Sequence, residues 1–144
     1  MRILGIDYGK KHTGLSLSDP LGITAQPLLT LRDLSEVQLI RKILDIAIEK
    51  EVEEIVVGLP RNMNGSTGKS GDKVMEFVEK LKKQTDCPVA TEDERLTTIM
   101  ADRTLAILGE KPKARKKKLD RMAAQLILQT YLDRKHAAES ERDA

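Results

Sequence analysis

The stretch RILGIDYGKKHTGLSLSD, residues 2–19, limits the folds open to this chain more than any other part of it. Residues 2–8 are rich in Ile and Leu and read as a strand. Residues 13–18, TGLSLS, alternate apolar and polar positions, as a half-buried strand does. The GKK between them signals a tight turn, so the pair reads as an antiparallel hairpin. The next unbroken apolar run, EEIVVGLP, comes only after a helix and has the composition of a strand buried on both faces. A hairpin followed by helix-linked buried strands calls for a mixed sheet. Its first part is antiparallel, its second part parallel, and helices cover its faces.

The remaining segments fill this frame. Residues 23–31 suit a third strand, with Pro27 favouring an edge position. Asp33 to Lys50 reads as the first long helix. Asp33 and Glu36 have capping-box spacing, and Val37, Ile40, Leu44 and Ala47 form an apolar face. Residues 61–71, RNMNGSTGKSG, read as a long polar, mobile loop. A helix with Val74, Phe77, Val78 and Leu81 follows, then a strand in CPVATED, then a helix in LTTIMADRTLAIL closed by Gly109 and Pro112. Residues 118–134 read as a last apolar helix, and residues 135–144 as a polar, disordered tail. The order βββ-α-β-α-β-αα, without internal repeat or linker, fits one domain over residues 1–134. A length of 144 residues suits a single core.

Composition removes several classes of function. Hydrophobic residues make up 40% and charged residues 33%, a globular balance. No apolar run approaches the roughly 18 residues needed to span a membrane, and the N-terminus lacks signal-peptide anatomy, so a cytoplasmic location is expected. Cys87 stands alone and fits a reducing compartment. One Cys and two His argue against a structural zinc site and leave oxygen as the ligand for any metal. Aromatic residues reach only 2%, too few for a module that stacks successive bases on side-chain rings. Charge is uneven. KPKARKKKLDR, residues 111–121, sets seven Lys and Arg against one Asp, a local +6, which leaves −4 for the rest of a chain whose total is +2.

Chemistry could reside in three places. Asp7 ends an apolar strand just before Gly9, where it could bind a metal, face a phosphate or start a turn. In EDERLTT, residues 92–98, three acids precede a helix start; they could complement the helix dipole, and Arg95 could pair with a neighbour or grip a phosphate. Asp120 lies one turn before the stripe Ala124, Ile127 and Tyr131. A carboxylate there is costly unless paired or metal-bound, although a neighbouring lysine could also pair it. Carboxylates from two strands and a helix could converge at one sheet edge. Such a set suits Mg²⁺ with waters and phosphate oxygens, and two ions roughly 3.5–4 Å apart can drive phosphodiester hydrolysis. Gly68-Lys69-Ser70 resembles part of a P-loop, but the glycine required five residues before Gly68 is Met63. Lys69 could instead touch a polynucleotide backbone. His12, placed in the hairpin turn, and His136, in the tail, receive no role.

GIDYGKKHTGLSLSD, VVGLPRNMNGSTG, DERLTT and KKKLDRMAAQLILQTYLD resemble, in order and spacing, the motifs of the YqgF (RuvX) family, over residues 1 to about 134. Members are described as Holliday-junction-resolvase-like proteins or pre-16S rRNA nucleases. The resemblance implies an RNase H-like α/β fold with a five-stranded mixed sheet of order 3-2-1-4-5. It implies a metal-binding, catalytic triad of Asp7, Glu94 and Asp120 served by Mg²⁺ or Mn²⁺. Arg95 and Thr98, from the same motif as Glu94, would position substrate or the carboxylate. RuvC resolvases place a glutamate where this chain has Gly58 and a further aspartate where it has Lys117, so the second carboxylate here is Glu94. Junction resolution is not inherited from a fold alone, and it needs a homodimer that the sequence does not display.

The expectation is therefore a metal-dependent nuclease of structured nucleic acid, acting on precursor rRNA or on branched DNA. Lys116, Lys117 and Lys118 in the basic run, with Lys69, would hold the phosphate backbone, with affinity that falls as salt rises. Two rivals remain. An actin-like ATPase shares the GIDxG opening but needs a second lobe. A non-catalytic nucleic-acid-binding module has no use for three acidic positions.

Overall fold

The computed structural model describes residues 1–61, 64 and 68–143; the side chains of residues 96–98, 100 and 143 lie outside that set. The elements run β1 (Arg2–Asp7), β2 (His12–Ser18), β3 (Ala25–Arg32), α1 (Glu36–Glu49), β4 (Val52–Leu59), α2 (Gly68–Lys82), β5 (Val89–Asp93), α3 (Arg95–Ile107) and α4 (Pro112–Asp143). They form a five-stranded sheet of order β3-β2-β1-β4-β5. β1 pairs antiparallel with β2 and parallel with β4, and β4 pairs parallel with β5. The expected mixed sheet and its strand order are thus present. β3 is an edge strand, and its pairing slips between Leu15 and Ser16, beside Pro27, where a missing N–H does least harm.

Two apolar layers hold the sheet. The larger packs Leu4, Ile6, Val57 and Leu59 against Ile40, Ile43, Phe77 and Leu81 of α1 and α2. The smaller, on the other face, packs Ile3 and Val56 under Ile127, Leu128 and Leu132 of α4. Helix α4 approaches closely because Gly5 has no side chain: a Cβ there would lie 2.8 Å from Leu128 Cβ and 3.2 Å from the Ala124 carbonyl oxygen. The Ser16 hydroxyl donates to that same carbonyl at 2.7 Å.

Four local expectations change. The cap of α1 is Ser35, in a capping box with Gln38, because its hydroxyl directly precedes the first helical residue. Asp33 lies outside the helix at φ 54°. The buried stripe of α1 runs through Leu39, Ile40, Ile43, Ile46 and Ala47, leaving Val37 73% exposed. Lys69 belongs to the first turn of α2, since that helix begins at Gly68; part of the expected loop, Met63 included, lies outside the described residues. Finally, α4 is longer at both ends. Pro112 starts it, as proline's fixed φ favours at a first helical position, so the basic run is helical. Residues 135–143 are helical too rather than a disordered tail. Lys135 pairs with Glu54 at 3.0 Å, and the His136 ring bonds the Gly22 carbonyl oxygen at 2.8 Å, which ties this end down. Among the described residues no helix is long and apolar enough to cross a membrane.

Candidate active site

Three parallel strands, β1, β4 and β5, end at one edge of the sheet, where open α/β folds bind their ligands. Asp7 is the last residue of β1 and sits opposite Gly14 of β2. Glu94 follows β5, its N–H donates to the Leu59 carbonyl at 3.2 Å, and it precedes α3 without using its side chain as a cap. Its carboxylate occupies space that Gly58 leaves empty: a Cβ at Gly58 would lie 2.3 Å from Glu94 Oε1 and 2.3 Å from Ile127 Cδ1. Asp120 arrives on α4, one turn before Ala124, whose methyl group faces Gly14. Asp7, Glu94 and Asp120, with Leu119, Ala123 and Ile127, line one cavity of about 210 Å³.

The electrostatics of this cavity are unfavourable as they stand. Burial, reinforced by the charge of Asp120, raises the Asp7 pKa to about 6. Burial, and then the charges of Asp7 and Asp93, raise Glu94 to about 7. Among the described residues no lysine, arginine or histidine pairs with either carboxylate. Nor do any three His, Cys, Asp or Glu among the described residues stand close enough together to hold a metal ion as they are placed. The open set of carboxylate oxygens suits a hard divalent cation that completes its shell with water and phosphate.

The structure gives separate partners to the three consecutive acids, of which the family resemblance had singled out Glu94. Glu92 is buried against α4 and bonds Arg134. Asp93 accepts from the Arg95 guanidinium at 3.0 and 2.7 Å, and from the Arg95 N–H at 2.9 Å. That bonding holds the Asp93 carboxyl below its usual range. Only Glu94 faces the cavity.

The expected backbone contacts are not gathered in one place. Lys116 and Lys117 are exposed on α4, whereas Lys118 pairs with Glu110. Lys69 is exposed on α2, across the sheet from α4. The Thr98 side chain lies outside the described residues. Sequence reasoning also missed residues. His12 is the first residue of β2 rather than part of the turn, and with Arg121, Thr30 and Gln125 it lines a second cavity of about 170 Å³ that shares Asp7 and Asp120 with the first. The only hint in sequence was the adjacency of Arg121 to Asp120.

The RuvX model, described as "Holliday junction resolvase", matches residues 1–134. A protein of Desulforamulus reducens named "Putative pre-16S rRNA nuclease" is 47% identical over 133 residues, covering 92% of this chain and 97% of the relative. One of the same name from Clostridium acetobutylicum is 46% identical, covering 92% and 98%. Among solved structures, Thermus thermophilus RuvC superposes with a TM-score of 0.58 at 14% identity, covering 95% of this chain and 97% of that one. The same protein in complex with a Holliday junction substrate gives 0.53 at 18% identity, covering 88% and 91%. These structural likenesses bear on the fold alone.

Proposed function

The chain belongs to the RuvX family of Holliday junction resolvase-like nucleases, and from that premise we propose that it is a Mg²⁺- or Mn²⁺-dependent endonuclease that processes the 5′ end of precursor 16S rRNA. The observation that carries this reading is the cavity at the strand ends, which gathers the carboxyl groups of Asp7, Glu94 and Asp120, the first two raised by burial and then by neighbouring acids. Asp7, Glu94 and Asp120 would hold the metal. When bound, it supplies an activated water and stabilises the departing oxygen of a phosphodiester.

The chain's own residues do the rest. Asp7 lies between the other two in charge coupling and would be a ligand together with them. Glu94 and Asp120 complete the set and accept hydrogen bonds from the attacking water. Arg95 occupies Asp93 and so keeps a fourth carboxylate out of the cavity, and it would position substrate from the start of α3. Thr98 would be the neighbouring contact on α3. Lys116, Lys117 and Lys69 contact backbone phosphates, and Lys118 exchanges Glu110 for one. Their affinity is salt-dependent. We place the activity in the cytoplasm, where the free, half-buried Cys87 stays reduced.

The family's description favours one alternative substrate, a four-way DNA junction, which would also require a homodimer to make paired cuts. Both are tested by incubating wild type and Asp7→Asn with a 5′-extended 16S precursor and with a four-way junction, in Mg²⁺ or Mn²⁺. Cleavage of the RNA by wild type should fall about a thousandfold or more in the variant while binding persists. Equal cleavage by both proteins removes the assigned site. Preference for the junction moves the substrate to branched DNA.

A further inference from the structure

The second cavity has properties the catalytic triad does not explain. It lies between α4 and the β2–β3 hairpin, and Asp7 and Asp120 form the wall it shares with the catalytic cavity. Its far side carries donors instead of acids. Arg121 is exposed and, among the described residues, makes no ion pair or hydrogen bond. His12 has a fixed orientation: Arg32 Nη1 lies 3.3 Å from its Nδ1. A guanidinium can only donate, so Nδ1 must accept, and the neutral ring carries its proton on Nε2. That leaves Nε2–H available as a donor. The Gln125 amide nitrogen is spent on the Ala25 carbonyl at 3.0 Å, which holds its side chain in place at the cavity wall.

We propose that this cavity is the subsite for the sugar-phosphate next to the one that is cut, with Arg121 and the Nε2–H of His12 as its phosphate donors. The inference rests on the nuclease reading above and gives it a direction: the strand leaves the catalytic cavity past Asp120 toward the β2–β3 hairpin. The asymmetry of charge supports this. An anion is repelled by Asp7 and Asp120 and attracted by Arg121, so a phosphate seated there is drawn to the donors rather than to the acids. A merely structural role for Arg121 is not available, since it holds nothing in place among the described residues. Neither Arg121 nor His12 moves a proton in this scheme; both are binding residues.

The test measures affinity rather than turnover. A fluorescein-labelled RNA hairpin with a single-stranded 5′ extension, and a DNA four-way junction, are titrated with Asp7→Asn protein in Mg²⁺ over a salt series. In that background Arg121→Gln should weaken binding about tenfold and reduce the slope of log K against log salt by about one. His12→Ala should weaken it by a similar factor with the slope unchanged, because a neutral donor releases no counterion. Lys42→Gln, an exposed cation on α1, serves as the reference and should bind as the background does. Unchanged affinity and slope in both the Arg121 and His12 variants, with melting temperatures equal to the background, overturns the subsite. If wild type cleaves neither substrate while these variants still lose affinity, the nuclease reading fails and the cavity stands as a backbone-phosphate site without a cut beside it. If wild type cleaves and the variants bind normally, the reverse holds.

Discussion

The residue scale is governed by two carboxylic protons. Asp7 and Glu94 are raised to about 6 and about 7 from ordinary values of 3.8 and 4.5, chiefly by burial and then by neighbouring carboxylates. Between those limits the folded chain keeps protons that the unfolded chain has released, so stability of the metal-free protein falls as pH rises through this window and levels off above about 7. Melting curves without metal should show a loss of about 5 °C between pH 5 and pH 8 relative to the Asp7→Asn/Glu94→Gln variant, and millimolar Mg²⁺ should restore it at the upper end. A Tm that rises with pH relative to that variant would mean that burial does not raise these two carboxyl groups. Gly58 makes a second point at this scale. Its hydrogen leaves room for Glu94 Oε1, and the side chains that a new Cβ would meet have flexible ends. Gly58→Ala should therefore cost little stability, about 1 kcal/mol, while displacing the carboxylate and lowering cleavage at least tenfold. Cleavage assays and thermal melts on the same preparation separate the two effects.

At the scale of elements, α4 organises the site. One face of it seals the sheet with Ile127, Leu128 and Leu132, and polar bonds fix its rotation. Ser16 reaches the Ala124 carbonyl, Gln129 accepts from Ala25 N–H at 2.9 Å, and Glu54 takes the Tyr131 hydroxyl. Asp120 is aimed because everything after it is anchored. Gly5→Ala would insert a Cβ 2.4 Å from Ser16 Oγ and 2.8 Å from Leu128 Cβ, pushing the helix off β1 and β2. We expect a loss of about 2–3 kcal/mol by denaturant unfolding and a larger loss of cleavage than of stability. The exposed start of α4 answers to a different force. Lys116 and Lys117 touch nothing that holds the fold, so Lys116→Gln/Lys117→Gln should leave stability within about 0.5 kcal/mol and reduce the salt slope of nucleic-acid binding by about two.

For the whole molecule, the far end of α4 matters because, among the described residues, that helix supplies the apolar cover of the second face of the sheet. Removing residues 135–144 deletes the Lys135–Glu54 pair and the His136–Gly22 contact, and should cost about 1–3 kcal/mol, read as a Tm several degrees lower. A truncation with unchanged Tm would show those contacts to be idle. Amino-acid order alone determined the architecture: alternation and apolar runs state which segments are strands, the hairpin-then-crossover order leaves a mixed sheet, and the family resemblance supplied its order 3-2-1-4-5. The family motifs also named Asp7, Glu94 and Asp120, because a motif keeps chemistry-bearing residues at fixed offsets. Other features became legible only when distant segments met. Without the family motif, residue pattern could not sort Glu92, Asp93 and Glu94, since their partners Arg134, Arg95 and the cavity lie on different elements. It misplaced the cap of α1 and both ends of α4, because helix limits depend on which carbonyls and carboxylates come within reach. It gave His12 no role and counted Arg121 only within a basic run, because the cavity they line forms between segments distant in sequence. Periodicity is a local property of the chain, whereas the raised pKa values, the open space at Gly58 and the second cavity exist only between elements packed against each other.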